Sequence, residues 1–144
     1  MAYNALLVAK YIIFDAYQAG STISNLKLQK ILYYVQADFL VEADKSCFND
    51  RIEAWDFGPV VPVVYFKYRI YGSADIPQVD QSECCGVSRD DERRINEMTK
   101  RCCQYTTSQL VSFTHYQDPW INAYNNAFDH EITIESIKNF FKQA

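Results

Sequence analysis

From Ala5 to Ala19 the polar side chains Lys10, Asp15 and Gln18, with Asn4 just ahead of them, project within a limited arc at about 100° per residue. Leu6, Leu7, Val8, Tyr11, Ile12, Ile13, Phe14 and Tyr17 fill the remainder, which predicts a helix buried on more than half its circumference and stopped by Gly20. Ser24 is a good N-cap for a second helix running to about Ala43, since its hydroxyl can accept from an orphan amide of the first turn. In that helix Leu26, Leu28, Leu32, Tyr33, Val35, Phe39 and Leu40 form one apolar arc. Lys27, Lys30, Asp38 and Glu42 gather opposite, with Ile31, Tyr34 and Val41 among them. Gln29 and Gln36, one heptad apart, fall in the middle of the apolar arc, where an unpartnered amide costs about 1–3 kcal/mol. Both are expected to bond loop backbone.

Residues 44–58 read as a connection with a short strand at Arg51 to Trp55, where Ile52, Ala54 and Asp56 alternate with Glu53 and Trp55. Gly58-Pro59 reads as a rigid corner that lays Trp55 against Gln29 or Gln36, and Pro62 opens a third helix through Tyr65, Tyr68 and Ile70 to a stop at Gly72. A surface loop is expected over 73–87. Ser88 with Asp91 then starts a charged amphipathic helix of about Arg89 to Tyr105, with Ile95, Met98 and Cys102 inward. A shorter helix covers Ser108 to Thr114. Asp118-Pro119 restarts the chain in helix-initiating order with Trp120 immediately inside, and Thr133 caps a last helix whose buried edge is Ile134, Ile137, Phe140 and Phe141. Four glycines and four prolines in 144 residues leave few breakers. The expected fold is mainly α: a compact single-domain bundle of about six helices spanning residues 1–144, with one short β-hairpin near 47–56.

Composition narrows the partners. With 49% hydrophobic and 15% aromatic residues the chain has ample core material, and a net charge of −4 has the wrong sign for general attraction to phosphate backbones, so no direct nucleic-acid partner is expected. No apolar run approaches the roughly 20 residues of a membrane span, and the N-terminus has no signal-peptide pattern, which places the expected site of action in the cytoplasm and away from membranes. Five cysteines, two pairs of them vicinal, read as free thiols in a reducing compartment.

Three blocks met along the way carry a family likeness: ISNLKLQKILYYVQADFL at Ile23 to Leu40, EAWDFGPVVPVVY at Glu53 to Tyr65, and LVSFTHYQDPW at Leu110 to Trp120. The opening VAKYI at Val8 to Ile12 and Tyr71-Gly72 fit as well. Together these resemble the Panacea antitoxin domain, the family of SocA-like and phage-associated GepA-type proteins. The chain departs from the family pattern at Ala37-Asp38, where glycine and an aromatic residue are usual, and in the cysteine-bearing loop before Ser88. The resemblance implies the antitoxin of a bacterial or phage toxin–antitoxin pair, acting by direct binding of a cognate protein toxin. A related implication is a proteolytic adaptor that delivers the toxin to a AAA+ protease.

Residue chemistry offers alternatives to weigh. Cys84-Cys85, Cys102-Cys103 and His115 suggest zinc, but structural sites pair ligands two to four residues apart, whereas adjacent cysteines on a helix point about 100° from one another. No metal or cofactor is expected. A small enzyme with a His115-centred pocket would need a cysteine brought near by the fold, and no nucleophile turn, paired carboxylates or phosphate loop accompanies it. The expectation is therefore a non-enzymatic interaction module, with His115, Pro119 and Trp120, like Gln29, Gln36, Gly58 and Pro59, in structural roles. Its partner-binding face is expected on the second helix and the connection after it, through Lys27, Lys30, Tyr34, Trp55 and Tyr65, with Tyr34 as the exposed anchor.

Overall fold

A computed structural model describes residues 2–143. Five helix starts are made by the short polar side chains that precede them. Asn4 Oδ1 accepts from the Leu7 amide ahead of α1 (Ala5–Gln18), and Ser24 Oγ accepts from Lys27 ahead of α2 (Asn25–Glu42). Ser88 caps α4 (Arg89–Cys103) through the Asp91 amide, and Thr133 caps α7 (Ile134–Lys142) through Ser136. Thr106 and Gln109 form a reciprocal capping box at α5 (Thr107–His115). Proline stands in the first turn of the other two helices, α3 (Pro62–Tyr68) and α6 (Asp118–Tyr124), where its missing N–H has no helical role. Seven α-helices thus make up the described residues, a mainly α domain as the sequence pattern predicts.

A small antiparallel sheet completes it, in the order β2 (Gly58–Val60), β1 (Ile52–Trp55), β3 (Glu131–Ile132). The register pairs Glu53 with Val60 and Trp55 with Gly58 on one side of β1, and Ile52 with Ile132 on the other. The hairpin therefore lies at 52–60, not at 47–56. Gly58-Pro59, expected to form the corner, is the start of β2, and Asp56-Phe57 makes the turn.

The core is arranged around α2, which packs against α1, α3, α4, α5, α7 and β2. Leu28, Ile31, Leu32, Tyr33 and Phe39 are inaccessible to solvent, each stabilising the fold by about 1.5–3 kcal/mol through apolar burial. Enclosure on every side is why the polar arc of α2 is misleading. Lys30 and Ile31 are both fully buried, and Lys27 reaches the carbonyl of Tyr105 past the end of α4 at 2.8 Å. The loop over 73–87 is likewise only partly on the surface: Ile76, Val79, Cys84 and Val87 anchor it to the core, and Tyr17 donates to the Ile76 carbonyl. On α7, Ile137 is buried while Ile134 faces solvent, because the helix meets the body along Ile137 and Phe141 rather than along its first turn.

Candidate partner-binding groove

The two glutamines of α2 build the foundation of the site. Gln36 Oε1 accepts from the Cys47 amide at 2.8 Å and its Nε2 donates to the Phe48 carbonyl at 2.6 Å, so one buried side chain serves both backbone groups of a chain segment crossing the core. Gln29 Oε1 accepts from the Val61 amide at 2.9 Å, and its Nε2 donates to Asn25, which in turn donates to the Tyr65 carbonyl. The exit of β2 and the helix carrying Tyr65 are thereby fastened to α2.

Lys30 adds a third fastening. Its Nζ donates to the Pro59 carbonyl at 2.6 Å, and it makes no ion pair among the described residues. Burial without a counter-charge pulls its pKa down to about 7. Gly58 has φ +105°, and a Cβ there would stand 2.7 Å from Lys30 Cε and 2.8 Å from Thr114 Oγ1, so the lysine packs where only a glycine leaves room. Lys30 is consequently no surface contact. Tyr34 is half-buried: its ring packs edge-on against Tyr33 and Phe141, its hydroxyl accepts from Gln117, and burial pushes its pKa up to about 12. The expectation of an exposed Tyr34 anchor is corrected as well: α7 covers it through Phe141, whereas β2 and α5 close over Lys30 through Gly58 and Thr114.

Trp55 and Tyr65, by contrast, come together. Their rings meet edge-on at 5.0 Å, with Phe66 beyond, and they line an open groove of about 600 Å³ whose other walls include Phe57, Tyr124 and His130. Phe57 sits in the hairpin turn with 65% of its surface exposed. Tyr124, which also lines the groove, ends a stack in which His115 lies 4.3 Å from Trp120 and Trp120 lies 4.5 Å from Tyr124. Three hydrogen bonds fix that stack to the hairpin. Trp120 Nε1 donates to the Trp55 carbonyl, Tyr124 Oη donates to Asp56 Oδ1 at 2.6 Å, and His115 Nε2 meets the Asp56 carbonyl at 2.9 Å. Pro119, buried in the first turn of α6, aims Trp120 at this contact. His115 is the last residue of α5, and its ring serves the hairpin turn, not a cysteine.

Charge around the groove is one-sided. Arg51 pairs with Glu53 at 2.7 Å, with Glu131 at 3.2 Å and with Asp129. The Trp55 indole N–H, together with that guanidinium, holds Glu53 below the usual carboxylate range, so it is ionised at neutral pH. Elsewhere two buried thiols are the opposite of activated nucleophiles: burial pushes Cys47 up and Cys102 up to about 12. Among the described residues no three His, Cys, Asp or Glu side chains gather into a metal cradle, and no helix is long and apolar enough to cross a membrane.

Sequence reasoning found Trp55 and Tyr65 and missed Asp56, Phe57, Tyr124 and His130. Phe57 carried a signal: an aromatic side chain in a tight turn, where small polar residues are usual, is exposed for a reason other than the turn. Tyr124 and His130 had none, since only the fold brings them to the hairpin.

Comparison with known proteins agrees with the three sequence blocks. The family model for the antitoxin SocA-like Panacea domain matches residues 28–121, which take in most of α2, the whole hairpin and Trp120. Antitoxin SocA of Caulobacter vibrioides (strain NA1000 / CB15N) is 45% identical over 128 residues, covering 81% of this chain and 68% of the relative. No solved structure matches. Gln29, the hairpin it fastens, Trp55 and Tyr65 lie within the matched segment, and the chain belongs to the SocA-like Panacea-domain antitoxin family.

Proposed function

We propose that this protein neutralises a cognate protein toxin by binding it directly, acting in the cytoplasm as one 144-residue domain, and that the groove beside Trp55 and Tyr65 is the docking surface. The carrying observation is the exposure of Phe57 and Phe66 next to half-buried Trp55 and Tyr65, on a hairpin and the start of α3 that the buried side chains of Gln29 and Lys30 fasten to the core. A rigid aromatic patch of this kind supplies contact area at low entropic cost, and it is an expensive thing to leave in water unless a partner covers it. Neutralisation is then steric: the toxin is masked, and no chemistry is asked of His115 or the cysteines.

The test is co-expression with the product of the adjacent reading frame. Growth is expected to recover with the wild-type protein, and the two chains are expected to co-purify; Phe57→Ser, with Tyr65→Ala as a second variant, is expected to reduce the recovered complex at least tenfold while far-UV circular dichroism is unchanged. Loss of toxin over time only when an energy-dependent protease is present, with no stable complex in its absence, would replace masking by delivery to that protease.

A further inference from the structure

We infer that the groove is a receptor for a basic side chain, an arginine or lysine carried on an apolar stretch of the protein partner. The inference rests on the direct-binding reading above and adds the chemistry of what is bound. Its volume, about 600 Å³, suits one long side chain with its apolar neighbours.

Aromatic walls at Trp55, Phe57, Tyr65 and Tyr124 offer π-electron density to a cation, with tryptophan the strongest acceptor. The carboxylate at the groove, Asp56, uses Oδ1 for the Tyr124 hydroxyl and has no protein donor on Oδ2 among the described residues. That oxygen faces a choice of water or an incoming donor. No lysine or arginine lines the groove. Of the cations outside it, Arg69 lies over the Phe66 ring at 5.2 Å, and Arg51 is shared by Glu53, Asp129 and Glu131, so that one guanidinium meets three carboxylates. A phosphate or an acidic peptide would meet the Asp56 carboxylate with no lysine or arginine lining the groove to offset it, and a wholly apolar segment would strip water from Asp56 without replacing it. A guanidinium or ammonium satisfies both the rings and the free carboxylate oxygen. The chain's overall charge of −4 steers such a partner toward it.

The probes are three short peptides, acetyl-Leu-Arg-Phe-amide, the same peptide with uncharged citrulline for arginine, and the same with glutamate, titrated into the intact protein and followed by amide and indole N–H shifts. Saturable shifts centred on Asp56, Phe57, Trp55 and Tyr65 are expected, with the arginine peptide binding at least fivefold more tightly than citrulline and the glutamate peptide not binding. Asp56→Asn is expected to bring the arginine and citrulline affinities within twofold of each other. Equal binding of the two in the wild type, shifts centred elsewhere, or no saturation at millimolar peptide overturns the inference. Asp56→Lys in the co-purification assay separates this outcome from failure of direct binding. If the wild type captures the adjacent-frame product and Asp56→Lys captures it equally, the groove chemistry is wrong while direct binding stands. If the wild type captures none, direct binding fails, and the peptide titration still judges the groove.

Discussion

Lys30 concentrates the residue-scale physics of this protein, because a lysine with no solvent exposure and one carbonyl partner is unstable as a cation. In the folded state it loses its proton at about 7, whereas in the unfolded chain it holds the proton to about 10.4. Between those values the unfolded state binds the extra proton, so the contribution of this side chain to stability rises with pH, by at most about 1.4 kcal/mol per unit. Below about 7 both states are charged and the penalty is constant at its largest. The buried thiols Cys47 and Cys102 act in the opposite direction above about 8.5, since they ionise only on unfolding. Urea unfolding of wild type and Lys30→Met at pH 7 and pH 9.5 isolates the lysine, because the thiols are common to both. The wild type is expected to gain on the variant as pH rises; a constant difference, or a reversed one, would show that Lys30 stays charged in the fold. Nothing in the sequence distinguishes Lys30 from a solvated lysine. Its burial follows from Gly58 and Thr114 closing over it, and both come from other elements.

At the scale of elements, the sequence is most legible where local chemistry decides. Ser24, Ser88 and Thr133 mark helix starts through bonds to amides three residues on, and such bonds need no tertiary context. Gln29 and Gln36 were legible in a different way: two amides at apolar positions demand partners, and loop backbone supplies them. The strand β3 was not legible, because two residues carry no period, and its pairing with Ile52 and Glu53 is made by the fold alone. The loop from 73 to 87 looked superficial because its buried residues Ile76, Val79, Cys84 and Val87 follow neither helical nor strand spacing. The glutamine argument has a measurable consequence. Gln36→Leu leaves the Cys47 N–H and the Phe48 carbonyl buried without their partner, and at about 1–3 kcal/mol for each orphaned group it is expected to cost about 2–6 kcal/mol in chemical unfolding. A cost below about 0.5 kcal/mol would mean that water reaches these groups and that the segment is less tightly closed than its hydrogen bonds indicate.

Across the whole molecule, rigidity is distributed in a way that bears on binding. α2 is surrounded by five other helices and β2, so its amides open only when the domain unfolds. The hairpin inherits that stiffness through Gln29, Lys30 and the Trp120 indole, which hold Val61, Pro59 and Trp55 from three directions. The segment after α6 is different: residues 125–130 are exposed, and Phe128 shows 98% of its surface. A docking surface that is already ordered loses little conformational entropy when a partner arrives, so a small groove can support a specific complex. Native-state hydrogen exchange tests this partition. The bonded amides Ala54, Val60 and Val61 are expected to exchange within about tenfold of the α2 core amides, and those of 126–129 at least a thousandfold faster. If the hairpin amides instead exchange at the rate of that exposed segment, the groove is assembled only on binding. The aromatic stack of His115, Trp120 and Tyr124 would then be a latch that closes on binding rather than a support already in place.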